Sequence, residues 1–210
     1  MKRHIDLNNW SRKDHYSFFK DFEIPRFNMT FDLDVTIFYL LTKKQGLKFY
    51  YALIHAVIQT LNSIENFGYR IENNRVWHDQ IQHVSFTDSI EGTDLFKMVF
   101  LHVSDDVAIF QEEAIQASQK QGATLINMAT EAILNTVYIT SFPWAKFNHF
   151  THATKLGSSD AVPRVSWSQF VEHNGKKTMT ISIEVHHGLV DGYHVGQWIQ
   201  RLQQRLHLVK

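Results

Sequence analysis

Thr178-Met179-Thr180-Ile181-Ser182-Ile183-Glu184-Val185 alternates apolar and polar side chains at strict period two, and His186-His187-Gly188-Leu189-Val190-Asp191-Gly192-Tyr193-His194 follows directly. The alternation is that of a β-strand with one face turned to a core. Upstream, Val165–Glu172 reads as its antiparallel partner across a turn at Asn174-Gly175. Downstream, Val195, Trp198, Ile199, Leu202 and Leu206 recur on one helical face. Strand, loop and helix thus run through the C-terminal third. The loop between them holds three histidines and one aspartate within nine residues. Loops at strand ends are where reactive side chains are commonly mounted.

The rest of the chain has the same mixed character. Asp34 is placed to cap a helix over Val35–Lys44, with Ile37, Leu40 and Leu41 on one side and Gly46 ending it. Leu47–Leu61 is a very apolar helix suited to burial. Tyr69-Arg70-Ile71 and Arg75-Val76-Trp77 flank Asn73-Asn74 as a hairpin. Ser104-Asp105-Asp106 opens a helix reaching about Lys120, its acids favoured by the helix dipole. Val137–Phe142 is a β-branched and aromatic strand. Strands and helices interleave without strict βαβ order, which predicts an α+β, or mixed α/β, fold with a large sheet. The chain has 210 residues and no Pro/Gly/Ser linker, so it reads as one domain over residues 1–210.

Composition narrows the function. Lys+Arg and Asp+Glu are each 21, so the net charge is zero, and the basic excess of a nucleic-acid binder is missing. With no cysteine in the sequence, thiolate zinc sites, iron–sulfur clusters and cysteine nucleophiles do not arise. The two positive charges of Met1–Asp6 have no apolar stretch behind them, which predicts no cleaved signal and a soluble cytoplasmic protein without membrane contact.

Four readings of the histidine-rich loop compete. It can be a solvated turn. It can bind a metal through His186, His187, Asp191 and His194, although adjacent residues on an extended segment point to opposite faces. A serine-hydrolase triad wants Gly-x-Ser-x-Gly, which the sequence lacks. The fourth reading is a histidine general base followed by a structural Asp-Gly turn. Imidazole, with an ordinary pKa near 6.5, suits that role at neutral pH.

The pattern His-His-x-x-x-Asp-Gly over His186–Gly192 resembles the active-site segment of the type A chloramphenicol acetyltransferases. The resemblance extends over essentially the whole chain. Trp10-Ser11-Arg12-Lys13-Asp14-His15 is similar to that family's Trp-x-Arg-x-x-His. Leu47-Lys48-Phe49-Tyr50, Val76-Trp77 and Ser141-Phe142-Pro143-Trp144 follow in the same order as in the family. The resemblance implies a two-layer sandwich with a large mixed sheet and a homotrimer with active sites between subunits. It also implies direct acetyl transfer from acetyl-coenzyme A to a hydroxyl of chloramphenicol, with no metal. His187 would be the base, with its other ring nitrogen tied to backbone. Arg12 and Asp191 would form a structural ion pair.

The resemblance also marks departures. The family serine that supports the oxyanion is matched here with His149, read as a replacement donor through Nε2–H, with a steric blockage as the competing reading. Phe18, Phe19, Phe96 and Phe147 are the expected acceptor-pocket walls, and Ser166 and Phe170 the expected coenzyme contacts. Phe19 and Phe170 stand where the family tends to carry tyrosines. Two alternatives remain: the same machinery with another hydroxyl acceptor, or a non-catalytic relative that binds coenzyme A or a small ligand.

Overall fold

The computed structural model describes residues 2–130, 133–155 and 160–207. In chain order its elements are β1 (Arg3–His4), α1 (Lys13–Phe19), β2 (Arg26–Asp34), α2 (Thr36–Lys44), α3 (Phe49–Asn62), β3 (Tyr69–Glu72), β4 (Arg75–His78), β5 (His83–Ser89) and β6 (Phe96–His102). They continue with α4 (Val107–Gln121), β7 (Thr136–Phe142), β8 (Arg164–Ser168), β9 (Val171–His173), β10 (Lys176–His186) and α5 (Gly192–His207). A seven-stranded sheet is ordered β2-β10-β8-β7-β5-β6, with β9 also paired to β10. Its pairs β5–β7 and β7–β8 are parallel and the others antiparallel, so the sheet is mixed. A second sheet of three strands runs β1-β4-β3.

The alternating strand is the centre of this architecture. β10 pairs with β2 along nine residues and with β8 and β9 on its other edge. Its apolar set, Met179, Ile181, Ile183 and Val185, belongs to the main core with α3 and α5. α3 is apolar nearly all round because it is enclosed; Leu53, Ile54, Val57, Ile58 and Leu61 are fully buried. α5 keeps only one apolar face and turns Val195, Trp198, Leu202 and Leu206 onto the core. The polar set of β10 does not face water as a two-layer pattern suggests. Thr180, Ser182, Glu184 and His186 are buried as well. The segment after β7 crosses this face, and the carbonyl of Phe150 accepts from Asn28 Nδ2 at 2.8 Å and Ser182 Oγ at 3.2 Å.

Two local expectations change in detail. α2 starts at Thr36, not Val35, with Asp34 accepting from the Thr36 N–H at 3.0 Å and its hydroxyl at 2.7 Å. Its inward face is Val35, Phe38 and Thr42, whereas Ile37 and Leu40 are exposed. Phe38 decides this: its ring packs edge-on against Phe49 of α3 at 5.5 Å, and the 3.6-residue period then carries 35 and 42 inward with it. The antiparallel partner of β10 is divided at Gln169-Phe170 into β8 and β9. The turn at Asn174-Gly175 has positive φ at both residues, 50° and 76°, as a tight hairpin requires. Among the described residues no helix is long and apolar enough to cross a membrane.

The N-terminus of α4 offers a direct test of the folding argument. Asp106 caps it, accepting from the N–H groups of Ala108 at 2.8 Å and Ile109 at 3.1 Å. Asp106→Ala removes one cap and is expected to cost ~1 kcal/mol, lowering the thermal midpoint by ~2–4 °C in a chain of this size. Thermal unfolding followed by circular dichroism reads this; an unchanged midpoint counts against the cap.

Candidate active site

The histidine turn is built by its own backbone. The His187 N–H donates to the Pro25 carbonyl at 2.8 Å, carrying the β2–β10 pairing one residue beyond the strand. The His186 carbonyl then accepts from the N–H groups of Leu189 and Val190, both at 3.0 Å, and the chain reverses into α5. Gly188 makes this possible, because a Cβ there would stand 3.1 Å from both the His186 ring and the Tyr16 Cα.

Arg12, at the entry of α1, closes the turn from outside. Its Nη1 donates to Asp191 Oδ2 at 2.8 Å, and its Nη2 and Nε reach the His187 and Gly188 carbonyls, each at 3.4 Å. Asp191 Oδ1 also accepts the Tyr193 N–H at 3.0 Å and lies 2.9 Å from His194 Nδ1. Burial raises the Asp191 carboxyl, but the Arg12 hydrogen bond and the neighbouring charges bring it below its ordinary value. The pair is partly buried, with side-chain exposures of 11% for Arg12 and 29% for Asp191. It therefore interacts in a medium less screened than open solvent.

The two adjacent histidines sit in different environments. His186 is buried, its Nδ1 accepts the Gly188 N–H at 3.1 Å, and burial with the nearby Arg26 charge pushes it down to about 4. It is neutral at pH 7, and its geometry is structural. His187 is half-buried, stacked on Phe19 at 4.1 Å and 12° and flanked by Phe27 at 4.6 Å. The expected tie of its second nitrogen to backbone is not made: Nδ1 is enclosed without a hydrogen-bond partner among the described residues. The ring is held by aromatic faces instead, and its own carbonyl is engaged by Arg12. Among the described residues no three metal-ligating side chains converge.

A cavity of about 1350 Å³ is lined from both faces of the sheet, by Ser85, Thr87 and Thr140 as well as by Phe86, Ile139 and Met179. Tyr50, Thr87, Thr140, Ser141, Trp144, His152, Arg164 and Trp167 are among its walls, and of the residues singled out from sequence Phe96 and Phe170 line it. Ser166 lies between Arg164 and Ser168, buried, its Oγ without a hydrogen-bond partner among the described residues. Phe18 is exposed beside Phe19 and Phe22. Phe147 packs on Phe150 at 5.4 Å. These positions do not form one pocket within a single chain. His149 departs furthest from expectation: it is exposed on the segment after Pro143-Trp144, and neither a ring contact nor a hydrogen bond links it to His187. His187 itself is not among the cavity walls.

Sequence reasoning passed over Thr140, which pairs with Ser166 in the parallel β7–β8 register and lines the cavity. The signal was present: Tyr138 and Thr140 alternate with the buried Val137 and Ile139. It also passed over an ionic cluster of Arg26, Asp160, Arg164, Glu184 and His152, of which His152, Asp160 and Arg164 line the cavity. Burial lowers Arg26 to about 10, with Asp160 opposing the shift.

The chloramphenicol acetyltransferase family model matches residues 2–203, and the chain belongs to that family. A chloramphenicol acetyltransferase of Klebsiella sp is 27% identical over 200 residues, spanning 95% of this chain and 91% of the relative. One from Campylobacter coli is 27% identical over 207 residues, spanning 96% and 97%. A solved structure of a chloramphenicol acetyltransferase superposes with a TM-score of 0.86, covering 98% of this chain and 100% of that one at 22% identity, which establishes the fold.

The lowered His186 links stability to pH. Unfolded, the group binds a proton near 6.5; folded, only near 4. Its contribution is therefore complete above pH 6.5 and is lost as pH falls from there toward 4. Denaturant unfolding at pH 7 and 4.5 should show a loss of a few kcal/mol in the wild type. The loss should be smaller in His186→Asn, whose side-chain carbonyl stands near the Nδ1 position and can still accept the Gly188 N–H. Equal losses in both proteins would remove His186 from the account.

Proposed function

We propose that the protein transfers acetyl from acetyl-coenzyme A to a hydroxyl of chloramphenicol, with His187 as general base. The observation that carries this reading is the state of His187: a half-buried imidazole clamped between Phe19 and Phe27 on a turn tied by Arg12 and Asp191. The His187 imidazole, held between the two rings, can take a hydroxyl proton through Nε2 as the oxygen attacks the thioester carbonyl. The tetrahedral oxyanion then collapses, the carbon–sulfur bond breaks, and the coenzyme A thiolate leaves and takes up the proton from the His187 imidazolium. A positioned base of this kind supplies ~10²–10⁴ in rate.

We read the cavity as the site of both substrates. Its volume of about 1350 Å³ exceeds that of a usual drug-sized pocket, leaving room for a pantetheine arm and a small acceptor together. Phe170 of the cavity wall, and Ser166 on β8, are the residues we assign to the coenzyme. For the oxyanion donor we favour Thr140 over His149, because its residue lines the cavity opposite Ser166, and His149 does not line it. That His187 and the cavity lie apart in one chain supports a site shared between chains. His187 of one subunit would serve the cavity of the next, in the homotrimer that the family resemblance implies. The setting we propose is the cytoplasm.

Thiol release from acetyl-coenzyme A tests this, and a protein without cysteine adds no background. Release is expected with chloramphenicol. Release only with other alcohols would change the acceptor, and binding without release would make the protein a non-catalytic relative. His187→Ala should lose at least ~10²-fold in turnover, and Thr140→Val about 10²-fold. A comparable loss in His149→Ala, with Thr140→Val unaffected, would return the donor role to His149. Light scattering at micromolar concentration is expected to give three times the chain mass; a monomer would sink the shared site.

A further inference from the structure

The wall of the cavity formed by residues 149–155 is irregular backbone, and little of it is buried: His149, Thr151, Ala153, Thr154 and Lys155 are exposed, with Phe150 and His152 half-buried between them. Glu184 holds it. Its Oε1 accepts the backbone N–H of His152 at 2.9 Å, and its Oε2 accepts Nδ1–H of the same residue at 3.2 Å. One carboxylate thus grips both backbone and ring of a single residue. Arg164, opposite Glu184 in the β8–β10 register, grips the next two: its Nη1 donates to Thr154 Oγ1 at 2.8 Å and to the Ala153 carbonyl at 3.3 Å. Its Nη2 reaches Asp160 Oδ2 at 2.7 Å, while Arg26 donates to the carbonyls of Asp160 at 2.8 Å and Val162 at 2.6 Å.

Such a cluster is costly. Glu184 is buried in the middle of the sheet, where ionised groups are tolerated only when paired and hydrogen-bonded. A strand position of this kind takes an apolar side chain at no desolvation cost. The carboxylate is three residues before His187 on the same strand, and Arg26 follows Pro25, whose carbonyl accepts the His187 N–H. The cluster therefore joins the cavity wall to the backbone that carries the base.

We propose that Glu184 and His152 are positioning residues for the acceptor: the buried carboxylate clamps residues 149–155 as a preformed wall of the acceptor end of the cavity. This rests on the reading of the cavity as the site of acetyl transfer. The walls contributed by β8 and the residues after it run from Arg164 to Phe170. With Phe170 assigned to the coenzyme, the opposite end, at Arg164 and His152, is left to the acceptor. The His152 ring meets Phe150, another wall residue, edge-on at 5.0 Å, so fixing one fixes the other. A wall set in advance lowers the ordering cost of binding.

Two variants of His152 separate positioning from general stability. His152→Leu loses the side-chain donor to Glu184, and His152→Asn keeps one in nearly the same place. His152→Leu is expected to raise the KM for chloramphenicol about tenfold, the scale of one hydrogen bond to a charged group. The KM for acetyl-coenzyme A and kcat should stay within about twofold, and His152→Asn should restore most of the loss. Equal changes in both KM values, a fall in kcat alone, or His152→Leu behaving as wild type would overturn the proposal. Amide hydrogen exchange on Glu184→Gln tests the clamp without any turnover. The amides of 149–155 should exchange at least ~10-fold faster than in wild type while β5 and α3 keep their protection. Unchanged exchange in 149–155 would overturn the clamp. A wild type that binds but releases no thiol would sink the functional reading, and the exchange arm would still judge the clamp.

Discussion

Arg12 and Asp191 meet at 2.8 Å across nearly the whole length of the chain, and the geometry of the histidine turn depends on that contact. A turn of this kind, with its carbonyls directed outward, would otherwise be free to move. The guanidinium has donors enough for the carboxylate and for the His187 and Gly188 carbonyls beside it. The same carboxylate receives the Tyr193 N–H at the start of α5. One ion pair thus holds the entry of the first helix, the end of the central strand and the start of the last helix. Its value lies in orientation more than in net Coulomb energy, since partly buried pairs give back much of their attraction as desolvation.

The second constraint is the polar side of β10. Most strands of large sheets bury apolar side chains on a covered face. Here Thr180, Ser182, Glu184 and His186 are enclosed and must be satisfied. Side-chain contacts meet much of this demand: Ser182 with Asn28 at 3.0 Å, Glu184 with His152, and His186 Nδ1 with the Gly188 N–H, while His186 Nε2 is enclosed without a partner among the described residues. Each contact also fixes something the site uses, whether the cavity wall or the turn. The polar face is therefore both an expense in desolvation and the means by which cavity and base acquire fixed positions.

Much of the architecture was legible from local signals. The period-two run over Thr178–Val185 marked the central strand, Asn73-Asn74 and Asn174-Gly175 marked turns that are observed with positive φ, and Asp106 marked the cap of α4. These features depend on neighbours within a few residues, and the backbone preferences of those residues suffice to specify them. The contact of Arg12 with Asp191 was reachable only through the family resemblance, because no local rule relates residues so far apart.

What the sequence by itself determined was the set of elements, the central strand and the chemical types gathered in its terminal turn. Tertiary structure alone decided which faces are covered and which polar groups meet. The inward face of α2 followed Phe38 because α3 lay against it. Within one chain His149 is exposed and makes no contact with His187, and Thr140 stands opposite Ser166, because strand register and the path of residues 143–155 set those positions. Glu184 read as one polar residue among several until β8 and the following loop brought Arg164 and His152 to it. Periodicity reports how a segment divides its own side chains between two faces. It carries no information on what will cover each face, since that depends on contacts between residues distant in the chain.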